Sequence, residues 1–239
     1  MRSVEHLEVR PNIVVDRDHA LYLKESKTAV IADLHLGYEG ALHEEGVSIP
    51  RFQKGIMMDR IERIVERYRP KKLIINGDFK HEFSKNLSQE WDDVNDVLDF
   101  LVGEVDIELT RGNHDNFLLT ILAKKDLTLM ETTESQGMTI AHGHKDVTWE
   151  GTLIIGHEHP SLQLRDEIGA SIKRPCFLIS GRTIVLPAFS PLATGTNVTS
   201  MHFISPPLAC LDAYKTRVIA IDEELGLLDF QTLADLREG

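Results

Sequence analysis

Five short apolar runs, each three to six residues long, stop abruptly at turns built from Asp, His, Asn and Gly. Thr28–Ala32 ends in Asp33-Leu34-His35-Leu36-Gly37, Leu73–Ile75 in Asn76-Gly77-Asp78-Phe79-Lys80-His81, and Val105–Thr110 leads to Gly112-Asn113-His114-Asp115. Met138–Ala141 runs into His142-Gly143-His144, and Leu153–Ile155 closes with Gly156-His157-Glu158-His159-Pro160. Continuous small apolar runs suit strands covered on both faces. In open α/β sheets the ligand crevice lies outside the carboxyl ends of such strands, so turns of this kind would meet in one place.

The intervening segments support a βαβ first half. Residues 1–25, with Ile13-Val14-Val15 and Leu21-Tyr22-Leu23 around Asp16-Arg17-Asp18, predict an opening antiparallel hairpin. Residues 38–48 are polar and glycine-punctuated, which predicts a loop. Pro50 suits the first turn of a helix whose stripe is Ile56, Ile61, Ile64, Val65 and Tyr68, stopped by Pro70. Ser88 reads as the N-cap of a second helix carrying Trp91, Val94, Leu98 and Leu101. Asn116 with Phe117–Leu122 reads as a capped helix, and Leu127–Thr133 as one strand before the turn 134–137. Beyond residue 160 the pattern becomes mostly β, with hairpins at Phe177–Ile179/Thr183–Leu186 and Arg217–Ile221/Leu227–Phe230 around a proline- and glycine-rich loop, 187–197. A short helix is expected after the last hairpin. No linker, repeat or low-complexity tract interrupts residues 1–239, so one domain is expected, with two sheets face to face and helices outside.

Composition narrows the class. The 239 residues are 42% hydrophobic and 27% charged, which suits a globular protein. The formal charge of −12, from 26 basic and 38 acidic residues, argues against a broad clamp on nucleic-acid backbone. Cys176 and Cys210 have no CxxC spacing and read as free thiols. No run nears the ~18 apolar residues of a membrane span, and Met1–His6 carries no signal-peptide apolar core, so a cytoplasmic location without membrane association is the expectation.

Seven of the eleven histidines fall in the five turns. A single DxH or HxH is weak by itself and is more often a surface or capping feature. Gathered at strand ends, carboxylates, imidazoles and an amide without cysteine suit divalent ions rather than a thiolate site. The i, i+2 pairs Asp33/His35 and His157/His159 would share a face if the backbone stayed extended. Gly112 would let the backbone turn sharply, Asn113 offers a neutral oxygen, and His114 offers a proton near neutral pH.

Taken in order, DxH, GD, GNHD, H and GHxH resemble the signature of the calcineurin-like metallophosphoesterase superfamily over residues 28–190. The resemblance implies a four-layer α/β/β/α sandwich with two mixed β-sheets. It implies one metal on Asp33, His35, Asp78 and His159 and a second on Asp78, Asn113, His142 and His157, with Asp78 shared. Two cations about 3.5–4 Å apart share a hydroxide, lower its pKa and clamp a phosphoester for in-line attack. Manganese is the first expectation for both divalent ions, with Fe, Zn, Co, Ni or Mg as alternatives. His114, not needed as a ligand, is left to protonate the leaving alkoxide or stabilise developing charge. Asp115 either orients His114 or caps the next helix, and the two stand about even. His81 and His144 are candidates for substrate contact, balanced against plain solvated or supporting roles. Lys80, Lys145, Arg51 and Arg182 are unranked candidates for phosphate. His6, His19, His43 and His202 read as surface or structural.

The second motif lacks the arginine of GDxVDRG, which disfavours a protein phosphatase, and the chain is too short for the capping domain of longer repair nucleases of the superfamily. Gly77–Phe83 and Leu186–Pro191 resemble small prokaryotic phosphoesterases found beside DNA ligases or helicases, related to SbcD/Mre11 nucleases. That resemblance implies phosphodiester hydrolysis on nucleic-acid ends or nucleotides, with DNA-repair partners. A phosphomonoesterase or nucleotide pyrophosphatase is the alternative, and a non-catalytic metal-binding scaffold ranks last because no motif residue is missing. Exposed apolar residues in the C-terminal hairpins leave room for a homodimer.

Overall fold

The computed structural model of the chain describes residues 3–82, 87–165 and 171–238. Phe83, the last residue of the Gly77–Phe83 segment, lies outside the described residues. The first sheet opens as an antiparallel meander of β1 (His6–Arg10), β2 (Ile13–Asp16), β3 (Ala20–Leu23) and β4 (Thr28–Ile31). The expected hairpin is β2–β3. The chain then crosses through α1 (Tyr38–Glu44) and α2 (Gln53–Tyr68) to β5 (Lys72–Asn76), and through α3 (Ser88–Val102) to β6 (Asp106–Thr110). A four-residue helix α4 (Leu119–Leu122), flanked by 3-10 turns, leads to β7 (Leu129–Met130). Strands β4 to β7 pair in parallel, so the motif-bearing ends of β4, β5 and β6 lie side by side.

The second sheet contains β8 (Thr132–Ser135), β9 (Met138–Ala141), β10 (Leu153–Ile155), β11 (Pro160–Arg165), β12 (Ser171–Ile179), β13 (Thr183–Val185) and β14 (Thr196–Asn197). Its order is β14-β11-β12-β13-β10-β9-β8, extended by β15 (Arg217–Asp222) on β12 and β16 (Gly226–Thr232) on β15. Both sheets are mixed, and they pack face to face. Val30, Ala32 and Ile74 of the first meet Ile140, Ile154, Phe177 and Ile184 of the second in one buried cluster. Ala29, Ile31, Leu73 and Ile75 point the other way, onto Met57, Ile61 and Ile64 of α2 and Val94, Val97 and Leu98 of α3. That alternation is what a doubly covered strand requires. The outer face of the second sheet is covered by 3-10 turns at 198–200 and 206–208 and by the segment leading into α5 (Asp235–Glu238), through Val198, Leu208 and Leu233.

Several local expectations change. Residues 38–44 form α1 rather than a loop, because buried Glu39 accepts from the Phe52 and Gln53 amides and from Gln89 Nε2, which ties the segment to two helices. The same carboxylate serves the start of α2, which begins at Gln53 and not at Pro50. Ile56 of the predicted stripe faces outward, and Met57 takes its place. Arg69 ends α2 in a left-handed conformation before Pro70. Ser88 is the first residue of α3 rather than its cap. The predicted helix over 117–122 splits into 3-10 and α turns with no side-chain cap. The predicted strand 127–133 divides at Glu131, where β7 stays in the first sheet and β8 starts the second. Pro160, read as part of a turn, opens β11, and the end of the loop 187–197 is the short strand β14. Cys176 and Cys210 are free, as expected.

Candidate metal centre

Parallel pairing continues past the strand ends into the motif turns. The Asp33, His35 and Leu36 amides donate to the carbonyls of Gly77, Asp78 and Phe79 at 3.1, 2.9 and 3.0 Å, so the first two motifs run as neighbours. The Gly156 amide donates to the His142 carbonyl at 3.0 Å and couples the last two. The backbone here is not extended. Asp33, His35, Asp78, His157 and His159 all have positive φ, between 45° and 62°. Each L-residue there resists a left-handed conformation that the surrounding hydrogen bonds impose. The expectation of one shared face on an extended chain therefore fails, yet the side chains converge.

Gly112 does not have a left-handed φ; its role is space. A Cβ there would lie 2.0 Å from Asp78 Oδ1 and 2.2 Å from the Asp78 nitrogen. At Gly156 a Cβ would lie 2.6 Å from Asp33 Oδ2. The glycines of these motifs let one ligand turn nest against the carboxylate of another.

Three groups of donor atoms result among the described residues, Asp33/His35/His159, Asp78/His142/His157 and the all-histidine set His35/His81/His114, each with its ligating atoms within 4.8 Å of one another; the first two combine carboxylate with imidazole. His35 Nε2 and His159 Nε2 are 3.2 Å apart, and His159 Nε2 is 3.2 Å from Asp33 Oδ1. Asp78 Oδ2 lies 3.3 Å from His142 Nε2 and 3.8 Å from His35 Nε2, which sets it between the first two groups. Asn113 Oδ1 is 3.2 Å from His142 Nε2. Asp33 and Asp78 are almost wholly buried. His142 Nδ1 donates to the Asn76 carbonyl at 3.1 Å, which leaves Nε2 to face the centre. A second partner of this kind fixes ring orientation in metal-ligating histidines. Inward-facing imidazole nitrogens beside buried carboxylates are a donor set that fits a hard or borderline divalent ion.

Electrostatics agrees. Burial opposes charge on His142, but Asp78 and Asp33 overcome it and push its pKa up to about 9. His159 is also raised, with Asp33 outweighing burial. Burial would raise Asp33 and Asp78, yet the facing histidines hold both carboxyls below their usual range. Burial lowers His35 to about 3 and His157 to about 4, so those rings are neutral at pH 7. In protein stripped of metal, a proton on His142 thus supplies countercharge that a cation would replace, and His159 is pushed in the same direction. Mn²⁺ binding at pH 7 should release protons, and affinity should rise toward pH 9. Calorimetric titration in buffers of different ionisation enthalpy reads this directly; heats independent of the buffer would contradict it.

The remaining candidates sit around this centre. His114 Nδ1 donates to the His81 carbonyl, its amide donates to Asp78 Oδ1 at 2.9 Å, and its Nε2 is 3.9 Å from Asp78 Oδ2. Asp115 is fully buried, and its carboxylate accepts from the amides of Gly112 at 2.8 Å, Phe79 at 3.0 Å and Lys80 at 3.4 Å. Those bonds lock the third motif onto the second. Burial and Asp78 raise the Asp115 pKa to about 6. His81 stacks on Tyr38 with centroids 3.8 Å apart, and burial lowers it to about 4. His144 lies beside His142, 5.2 Å between centroids.

Lys80 is not free to meet phosphate: it is buried and paired with Glu90 at 3.2 Å. Lys145 pairs with Glu131, and Arg182 lies 5.7 Å from the Trp149 ring centroid. Sequence reasoning missed Asn76, whose side chain bonds the Ala141 carbonyl at 2.9 Å and Thr110 at 2.6 Å, and Tyr38. An asparagine ending an otherwise apolar strand was the available signal for the first.

The fold is a two-sheet α/β sandwich whose strand ends carry Asp and His groups that could hold metal ions. A family model for calcineurin-like phosphoesterases matches residues 26–177, and the chain belongs to that family, which makes it a hydrolytic phosphoesterase by class. Its fold is similar to that of the nuclease MPE of Pseudomonas putida, with TM-score 0.69 and 22% identity over 93% of this chain and 98% of that one. The Yfce phosphoesterase from E. coli aligns at TM-score 0.43 and 12% identity, over 86% of this chain and 98% of that one. No curated protein matches the sequence. No helix of the described residues is long and apolar enough to cross a membrane.

Proposed function

We propose that the chain is a phosphodiesterase acting on nucleic-acid ends or nucleotides through two divalent ions. One would be held by Asp33, His35, Asp78 and His159, the other by Asp78, Asn113, His142 and His157. The observation that carries this reading is the placement of Asp78 Oδ2 between the two carboxylate-and-imidazole donor groups, 3.3 Å from His142 Nε2 and 3.8 Å from His35 Nε2. Bound there, the ions would supply an activated water and charge neutralisation at the phosphoryl oxygens.

The chain's own residues do the rest. The bond from His114 Nδ1 to the His81 carbonyl orients the ring. Its Nε2 faces the centre and can carry a proton to a leaving oxygen or stabilise charge developing there. Asp115 holds the His114 turn against Phe79 and Gly112 by accepting their amide protons, so the proton donor and Asp78 keep a constant separation. That the Pseudomonas putida neighbour is a nuclease agrees with a diester substrate.

The test is purified protein with Mn²⁺ on bis-p-nitrophenyl phosphate, p-nitrophenyl phosphate, and labelled single- and double-stranded DNA and RNA. The diester should be preferred. His114→Ala should lower diester kcat by about 10²–10⁴-fold, the usual scale of one general acid, while Mn²⁺ binding is retained. Absence of turnover with every divalent metal would sink the enzyme reading; preference for the monoester would move it to phosphomonoesterase.

A further inference from the structure

A pocket adjoins the metal centre across His159, and nothing in the reaction outlined above uses it. It is lined by Arg60 of α2, Lys173 and Arg174 of β12, Pro191 of the loop 187–195 and His19. Three cationic side chains in one recess are conspicuous in a chain of net charge −12. Glu223 is the single carboxylate lining it among the described residues, and Asp222 is already taken by Arg174 at 2.8 Å.

Arg60 is the central feature. Its neighbours on α2 are neutralised: Arg63 pairs with Asp18 at 2.7 Å and Arg67 with Asp16 at 2.7 Å. Among the described residues Arg60 has no such carboxylate. It lies over the Phe189 ring, 5.8 Å from the centroid, and donates from Nη1 to the Phe189 carbonyl at 2.5 Å. One carbonyl leaves most of the five N–H donors of a guanidinium unused, and an anion is the natural acceptor. Burial lowers its pKa to about 10, so it remains a cation at neutral pH. His19 donates from Nδ1 to the Ala188 carbonyl at 2.7 Å, and burial keeps it neutral.

The pocket is wired to the centre. The Phe189 and Ser190 amides donate to the carbonyls of Ala32 and Asp33 at 2.8 and 3.1 Å, and the Thr196 amide donates to the His159 carbonyl at 3.0 Å. Lys173 Nζ donates to the Gly195 carbonyl of the same loop. A substrate with one phosphate at the metals would therefore extend along His159 into a recess lined by both cations and the prolines Pro160, Pro175 and Pro191. Phosphate suits the cations and a sugar or base the prolines.

We propose that this recess is a nucleoside-phosphate subsite: the phosphate next along the strand from the scissile one sits on Arg60 and Lys173, with its nucleoside against the prolines. The proposal rests on the phosphodiesterase reading and narrows it to substrates carrying at least one additional phosphate.

The probe is thymidine 3′,5′-bisphosphate, titrated calorimetrically into the full chain stripped of metal, so binding does not depend on the metal centre. Arg60→Gln and Lys173→Gln should each weaken binding at least tenfold, and Lys173→Arg should restore it. With Mn²⁺ loaded, the kcat/KM ratio for a dinucleotide bearing a terminal phosphate over the same dinucleotide without it should exceed ten, and fall toward one in the glutamine variants. If Arg60→Gln fails to fold, as judged by its thermal unfolding transition, the Lys173 pair carries the test. Binding within twofold of the parent in the folded glutamine variants would overturn the subsite. Inorganic phosphate binding as tightly as the bisphosphate would overturn its nucleoside half. Arg60-dependent binding without hydrolysis of any diester would overturn the phosphodiesterase reading and leave the subsite standing.

Discussion

Asp78→Ala is expected to lower phosphodiester turnover at least about a thousandfold, equivalent to about 4 kcal/mol of transition-state stabilisation. The expectation follows from position rather than from a count of lost contacts. Every other proposed ligand serves one proposed ion, whereas Asp78 Oδ2 stands between His142 and His35, so its removal strips a ligand from both proposed ions. Asp78 Oδ1 separately accepts the His114 amide at 2.9 Å, so the same change frees the turn that carries the proposed proton donor. A structural signature should accompany the kinetic loss. Asp78 is the leading cause among those raising His142, so in stripped protein the His142 pKa should fall from about 9 toward or below the ordinary histidine value once burial is unopposed. Proton NMR titration of the histidine rings reads that shift, and Mn²⁺ titration should lose both high-affinity events. Loss of one event, with the second intact and turnover reduced less than tenfold, would show that Asp78 is not shared.

The convergence of Asp33, His35, Asp78, Asn113, His142, His157 and His159 was legible in the sequence because parallel strands deliver their carboxyl ends to one edge, and their residue types are ones that suit a divalent ion. The buried strands were legible for the same reason: a doubly covered strand has no polar face to disguise it. What escaped was set by partners distant in the chain. Residues 38–44 have a loop's composition, and only the reach of Glu39 to the amides of residues 52 and 53 makes a helix there. Leu127–Thr133 has one apolar pattern, and nothing local marks Glu131 as the point where the chain leaves one sheet for the other. For Asp115 the local pattern offers orienting His114 or capping the next helix; it does not show the bonds to Phe79 and Lys80, 36 and 35 residues away, that join the one to Gly112. Arg60 lacked any motif at all; its interest comes from making no ion pair among the described residues, with Asp18 and Glu223 acting on it only through the field, which is a tertiary property. Periodicity and residue chemistry report what one segment buries or ligates, not which distant amide will answer a side chain.

The glycines sharpen that distinction, and they yield the second large expected effect. Gly112→Ala should abolish detectable diester turnover while costing roughly 1–3 kcal/mol of stability or more, the usual range for a forced overpacking. For a chain of this length that corresponds to a drop in Tm of about 2–4 °C per kcal/mol. The added methyl would be placed 2.2 Å from the Asp78 nitrogen as well as 2.0 Å from its Oδ1, and a rotamer change can relieve only the second clash. Either the third motif or the second must retreat, and with it Asn113 or Asp78. The disturbance would be confined, because Phe79, Lys80 and Gly112 share the Asp115 carboxylate and move as one loop pair. Activity should therefore fall much further than stability. Gly55→Ala is the matched comparison: it lies inside α2 with nothing within 4 Å of its new methyl, and it should stabilise the chain by about 0.5–1 kcal/mol through helix propensity while leaving turnover unchanged. The pair is read by thermal unfolding and by bis-p-nitrophenyl phosphate hydrolysis on the same preparations. If Gly112→Ala kept parental turnover, the close seating of the third motif on Asp78 would have no part in the reaction, and the division of labour drawn for these loops would have to be abandoned.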